Sequence, residues 1–344
     1  MRSFKLTGIR NLELMEVPDP LITCSTDVLL GIKVVGVCGS DIHYYLNGRI
    51  GSQVVEYPFT VGHECAAEVV EVGPDVTRVK PGDRVAVEPA MPCHSCDQCL
   101  AGRHHTCRNL KFLGCPGQAE GCLSDYLVMP ETSCFPVPES MSLDEAALSE
   151  PLAIGLYSVR RVMPVAGSLC GILGYGPIGM SVMLAAAAKG AGRIFVTDRI
   201  DSRLRIAKET GASLTGNPDR DDIAGMILDE EKRGLDIVFE CCGKQEAMDQ
   251  AVQIVKPGGT IVIVGIPEFD RWSFSADEIR RREITLINIR RQNHSLEETL
   301  DMISGDGLHA APMVTHRFKF KETPGAFRLV SEYADGVMKA MIEF

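Results

Sequence analysis

Four cysteines, Cys93, Cys96, Cys99 and Cys107, follow the pattern Cys-x2-Cys-x2-Cys-x7-Cys, with Pro92 and Gly102 beside them. Four thiolates on one short loop can close a tetrahedron around zinc and leave no position open, which is the chemistry of a structural metal. An iron–sulfur centre is the alternative for such a set. His94, His104 and His105 fall in or beside the loop and read as solvated. A second group is dispersed: Cys38 in Cys-Gly-Ser-Asp-Ile-His, His63 and Glu64 in Gly-His-Glu, and Glu150 in Ser-Glu-Pro. A thiolate and an imidazole, with carboxylate or water completing the shell, suit a catalytic zinc because one position must exchange. Taken singly each has a plainer reading, Cys38 as a core thiol, His63 as a turn residue and the glutamates as solvated acids.

A third constellation handles phosphate. Gly174-Tyr175-Gly176-Pro177-Ile178-Gly179 follows an apolar run, Leu169 to Leu173, and precedes small and apolar residues, Met180 to Ala188, that read as a helix. The first glycine makes the tight turn, the second admits a pyrophosphate, and the third allows close helix packing, while the helix N-terminus favours negative charge. Pro177 is tolerated in a first helical turn, where its missing N–H costs little. Asp198 ends the next apolar run, about 20 residues past the glycines, where an acid accepts from the adenosine ribose hydroxyls and repels a 2′-phosphate. NAD is therefore expected over NADP, although Arg199 and Arg203 stand close by. Arg203, Val264 and Ile266 complete the cofactor candidates.

The elements that must position these groups divide the chain. Short β-rich runs, Val28 to Val37, Ala66 to Val72 and Arg84 to Glu88, alternate with turns such as Gly73-Pro74-Asp75 and Pro81-Gly82-Asp83, so the first 150 residues read as mostly β. From about Pro151 apolar strands (Leu169 to Leu173, Arg193 to Thr197, Leu235 to Glu240, Thr260 to Val264, Ile284 to Ile289) alternate with helical patterns. This is the rhythm of a parallel sheet with crossover helices. A helix is expected over Ser295 to Ile303, and a strand over Met338 to Phe344, which is expected to return to the first domain.

At 344 residues two compact units are expected. A net charge of −11 argues against nucleic acid as a partner. Met1 to Arg10 lacks a continuous apolar core, and the longest apolar stretch, near Met180 to Ala188, is too short to span a bilayer. No membrane partner is expected, and thirteen cysteines in a chain of this size read as reduced thiols and metal ligands in the cytoplasm rather than a disulfide framework.

Together these motifs resemble the zinc-containing medium-chain dehydrogenases, and within them the sorbitol or polyol dehydrogenases. The resemblance covers nearly the whole chain and rests on Cys38-Gly39-Ser40-Asp41-Ile42-His43-Tyr44, Gly48-Arg49-Ile50-Gly51, Gly62-His63-Glu64, the four-cysteine lobe, Glu150-Pro151-Leu152, Gly176-Pro177-Ile178-Gly179 and Val314-Thr315-His316-Arg317-Phe318. It implies an α/β chain with a GroES-like β-rich catalytic domain, residues 1–155 and 290–344, and a doubly wound Rossmann NAD-binding domain, residues 156–289, with the active site in their cleft. It implies two zinc ions per chain. Cys38 and His63 would hold the catalytic one, with Glu64 as third ligand and Glu150 either ligating or holding the zinc-bound water, a choice the sequence leaves open. A glutamate at 150, where alcohol dehydrogenases often place cysteine, points to polyols. Arg290 resembles a residue near polyol and cofactor, but Arg291 departs from the usual aromatic residue. A homodimer or homotetramer is implied by the family alone.

The expected reaction passes a hydride from a secondary hydroxyl of a small polar substrate to NAD, giving a ketose. Zinc would acidify the hydroxyl; Ser40 would take its proton and His43 relay it to solvent. Tyr44, Phe112 and Arg290 are the candidates for the substrate pocket. The alternatives are an L-threonine 3-dehydrogenase, a butanediol-type dehydrogenase, and a cofactor-binding protein without turnover, which would be expected to lose Cys38 or His63.

Overall fold

The computed structural model describes residues 1–305 and 307–344. The chain forms two compact units, one containing Met1–Glu150, the helix Leu296–Ser304 and Val314–Phe344, the other Pro151–Ser295 and Gly307–Met313. The division after Glu150 falls inside the helix Leu143–Arg160, at Pro151, whose ring nitrogen has no hydrogen to donate to the preceding turn. Among the described residues no helix is long and apolar enough to cross a membrane.

The first unit is built on a seven-stranded sheet. Its order is Cys134–Pro136, Arg84–Val87, Glu64–Val72, Asp27–Gly36, Lys339–Glu343 and Val314–Lys319, with Tyr126–Pro130 also pairing with Asp27–Gly36. The central strand Asp27–Gly36 is rich in β-branched and aliphatic residues and is buried along most of its length, as expected of a strand covered on both sides. Its last residue, Gly36, sits opposite Glu64 on one neighbour and Met341 on the other. A Cβ at Gly36 would stand 2.5 Å from Glu64 Oε2, so glycine is the residue that lets this carboxylate lie over the strand.

This unit also contains a helix, Gly39–Asn47, within a region whose sequence reads as mostly β. Asp41 accepts the N–H of Cys38 ahead of the first turn, and Gly48, with φ 64°, closes the last by donating to the Tyr44 carbonyl. The signals are single residues at its ends, which a reading by hydrophobic period passes over.

The second unit is a six-stranded parallel sheet in the order Leu214–Gly216, Ile194–Thr197, Cys170–Leu173, Leu235–Glu240, Val255–Ile263 and Thr285–Asn288. Counted along the chain this is 3-2-1-4-5-6, the doubly wound dinucleotide order. The strands Cys170–Leu173 and Ile194–Thr197 are buried at every residue, because helices cover both faces of such a sheet. The fifth strand begins at Val255 and ends at Ile263, leaving Val264 in the loop beyond it.

Candidate functional site

Cys38 leaves the central strand and opens the helix Gly39–Asn47, while His63 immediately precedes the strand Glu64–Val72 and Glu64 begins it. The cross-strand register brings them together: one donor atom from each of Cys38, His63 and Glu64 lies within 4.8 Å of the others. His63 and Glu64 are buried, and Cys38 is partly so. Asp41, buried at 1% exposure, accepts from the N–H of Cys38 at 3.0 Å and of Gly62 at 3.1 Å, and stands 3.5 Å from His63 Nδ1. It braces the two ligand-bearing turns and leaves the other ring nitrogen of His63 for a metal. Burial disfavours charge on His63, yet the Asp41 carboxylate and the Cys38 sulfur outweigh this and hold the imidazole well above its ordinary range. Asp41 and Cys38 thus favour positive charge at His63, as groups around a cation site should.

Two partners of this group escape a reading of the sequence. One is Asp41, visible only as the middle of a motif. The other is Lys339, whose ammonium lies 2.8 and 2.5 Å from the two oxygens of Glu64. Burial opposes the charge on Lys339, but Glu64 first, then Cys38 and Glu150, raise its pKa above the usual range. No local signal marks a lysine in an apolar C-terminal strand as a partner of a residue so far away in the chain. Glu150 is buried and lies outside the three-donor group, close enough for its charge to act on Lys339. Ser40 Oγ is 3.4 Å from Cys38 Sγ, and His43 is half-buried on the same helix. The buried Tyr44 hydroxyl reaches Gln53 Oε1 at 3.4 Å, and the Phe112 ring packs 5.4 Å from that of His63. Arg290 is exposed beyond the strand Thr285–Asn288 of the second unit.

The sulfurs of Cys93, Cys96, Cys99 and Cys107 also lie within 4.8 Å of one another. The Cys93–Cys107 and Cys96–Cys107 separations, 3.4 and 3.9 Å, are far from a disulfide bond and close to the roughly 3.8 Å edge of a tetrahedron with zinc–sulfur bonds of about 2.3 Å. Hydrogen bonds from the backbone and hydroxyl of Ser95 lower the Cys93 pKa to about 5, and the Arg108 N–H lowers that of Cys96. Burial pushes Cys99 up to about 12, so this thiol is the one that most needs a metal in order to ionise. His94 and His104 meet edge to face at 5.1 Å; His105 is buried, not solvated as its neighbours suggested.

The second unit supplies the cradle. Gly174 turns with φ 94°, and a Cβ there would stand 2.8 Å from that of Cys242; one on Gly179 would strike the Gly174 carbonyl at 1.9 Å. Gly176 precedes the helix Pro177–Ala188, with Pro177 and Ile178 opening its first turn. Asp198 accepts the N–H of Tyr175 at 2.6 Å and of Ile200 at 2.8 Å, which aims its carboxylate along the edge of the glycine turn. Arg203 lies 4.0 Å from Asp198 and 3.4 Å from where a Gly176 Cβ would be. Ile266 is exposed and Val264 half-buried in the loop after the fifth strand. An open turn, a helix N-terminus and an oriented acid fit a dinucleotide.

Comparison with known proteins agrees with this geometry. Residues 25–139 match the family described as alcohol dehydrogenase GroES-like domain, and residues 177–305 match zinc-binding dehydrogenase. The sorbitol dehydrogenase of Bacillus subtilis is 34% identical over 99% of this chain and 97% of its own. The chain belongs to the zinc-dependent medium-chain dehydrogenases. Within that family this dehydrogenase falls in the polyol dehydrogenase-like subgroup: the L-idonate 5-dehydrogenase of Vitis vinifera is 36% identical over 92% of this chain and 87% of its own. Its fold matches an Escherichia coli oxidoreductase/dehydrogenase of unknown specificity involved in membrane biogenesis, with TM-score 0.94 and 30% identity over 99% of this chain and 98% of that one. The dehydrogenase uses zinc and a nicotinamide dinucleotide, and the donor sets and cradle described above fit both.

Proposed function

We propose that this dehydrogenase oxidises a secondary hydroxyl of a polyol or sugar alcohol to the ketose and passes the hydride to NAD, so that R2CHOH and NAD+ give R2C=O, NADH and a proton. The convergence of Cys38, His63 and Glu64 with Lys339 and Glu150 behind them carries this reading, together with the full-length likeness to sorbitol and L-idonate dehydrogenases.

Zinc, when held by Cys38, His63 and one of the two glutamates, supplies the Lewis acidity that makes a substrate hydroxyl ionisable near neutral pH. The remaining work belongs to the chain. Asp41 fixes the His63 ring, and Lys339 fixes Glu64. Ser40 accepts the hydroxyl proton as it releases its own, and His43 receives the released proton and passes it to solvent. Tyr44, Phe112 and Arg290 orient the polyol. In the second unit Gly174, Gly176, Pro177, Ile178 and Gly179 receive the pyrophosphate, Asp198 and Arg203 the adenosine side, and Val264 and Ile266 the nicotinamide side. Cys93, Cys96, Cys99 and Cys107 hold a second, structural zinc. Residues 1–155 and 290–344 form the catalytic domain in this reading, and 156–289 the NAD-binding domain. The enzyme works in the cytoplasm, where thiolate ligands stay reduced, as a homodimer or homotetramer, which light scattering would measure.

NADH absorbance on adding sorbitol, xylitol, inositol, 2,3-butanediol or threonine in turn tests the substrate class. Turnover with one or more of the polyols is expected. Turnover with threonine or butanediol and with none of the polyols would overturn it.

A further inference from the structure

Glu240 is fully buried and ends the strand Leu235–Glu240, the fourth of the parallel sheet in chain order. Its Oε1 accepts from the N–H groups of Cys242 at 2.9 Å, Gly243 at 2.6 Å and Lys244 at 3.4 Å. Its backbone carbonyl accepts from Val264 at 2.8 Å and Gly265 at 2.9 Å, just past the end of the fifth strand. Its Oε2 has no hydrogen-bond partner among the described residues, and a Cβ on Gly265 would stand 2.7 Å from it. The Glu240 side chain therefore fastens loop 241–244 and its backbone carbonyl the start of loop 264–266, the two loops that follow neighbouring strands. The fit between them is tight: a Cβ on Gly243, whose φ is 66°, would strike the Ile266 carbonyl at 2.3 Å.

Topology says what these loops face. A doubly wound sheet binds a dinucleotide outside the carboxyl ends of its strands, one mononucleotide on each side of the point where strand order reverses. That point lies here between the first strand, Cys170–Leu173, and the fourth, where Gly174 and Cys242 approach each other. Asp198, at the end of the second strand, claims the adenosine half. The nicotinamide half then falls to the carboxyl ends of the fourth and fifth strands.

We propose that Glu240 is a positioning residue for the nicotinamide half of the cofactor, its side chain holding loop 241–244, against which loop 264–266 packs, in the arrangement that receives it. This rests on the dinucleotide reading given above. The side chain acts as a hydrogen-bond acceptor through Oε1, a role that does not require its charge. Burial pushes its carboxyl above the usual range, which the Cys242 thiol, donating to Oε1 at 3.2 Å, and the loop N–H donors only partly offset, and an amide oxygen presents the same acceptor to the same donors.

Binding of NADH and of ADP is measured separately by calorimetry on the purified wild type and on Glu240→Gln, Glu240→Asp and Glu240→Met. Glu240→Gln keeps both affinities near wild type. Glu240→Asp, which withdraws the acceptor, and Glu240→Met, which removes it, weaken NADH by about tenfold or more, as expected for loop donors left unpaired, and leave ADP near wild type. Equal losses of ADP and NADH, unchanged NADH affinity in Glu240→Met, or loss of NADH binding in Glu240→Gln would each overturn the proposal. So would failure of both the Asp and Met variants to fold beside a folded Gln variant, since Glu240 would then serve the stability of the whole unit. Wild-type protein that binds ADP but not NADH would instead overturn the dinucleotide reading itself.

Discussion

The ammonium of Lys339 and the carboxylate of Glu64 form an ion pair at 2.5 Å in which each side chain is only 1% exposed. A pair removed so completely from water gains little over an apolar pair of similar volume, but loss of one partner strands a buried charge. Its position beside Cys38 and His63 makes it part of the metal pocket.

Lys339→Met should therefore destabilise the metal-stripped protein by about 3–5 kcal/mol, and Lys339→Arg by much less. Denaturant unfolding after chelation measures this. In the zinc-loaded protein the loss should shrink, because the metal then neutralises Glu64. A Lys339→Met protein as stable as wild type without metal would show that the pair is dispensable.

Cys38→Ser and His63→Ala should each abolish polyol oxidation while NADH still binds to the second unit. Asp41→Asn should keep all three donors but weaken zinc by about 10–100-fold, as partners behind metal ligands usually do. Zinc content and competition with a chelator read out both effects. Full activity in a zinc-free Cys38→Ser protein would end the metal-assisted mechanism.

Elemental analysis should find two zinc ions per chain, and one in Cys96→Ser. That variant should be less stable, because a structural zinc contributes folding energy directly, yet its remaining zinc should behave as in wild type. Iron with visible charge-transfer bands, or a single zinc in the wild type, would contradict this division.

NAD should be preferred over NADP. Asp198→Ala should erode the preference, since the carboxylate that repels a 2′-phosphate is gone while Arg199 and Arg203 remain to attract it. The ratio of kcat/KM for the two cofactors decides this, and a wild-type ratio favouring NADP would show that Asp198 is misassigned.

What the amino-acid sequence determined by itself is everything whose chemistry is local. The four-cysteine loop and the glycine turn with its helix each lie within one short stretch, and the acid ending the next strand, though its carboxylate bonds back to Tyr175, stands at a spacing from the glycines that announces it. The parallel sheet was legible for a similar reason: strands buried on both faces run largely apolar, as Cys170–Leu173 does throughout and Ile194–Thr197 does up to its last residue. The helix Gly39–Asn47 was not, because single capping residues define its ends. Tertiary structure alone decided which distant groups meet. Gly36 lies opposite both Glu64 and Met341, and that register carries Lys339 to Glu64, just as the register of the parallel sheet lets Glu240 fasten two loops. Strand pairing is set by side-chain packing summed over a whole sheet, and no stretch of sequence near Lys339 or Glu240 contains that sum.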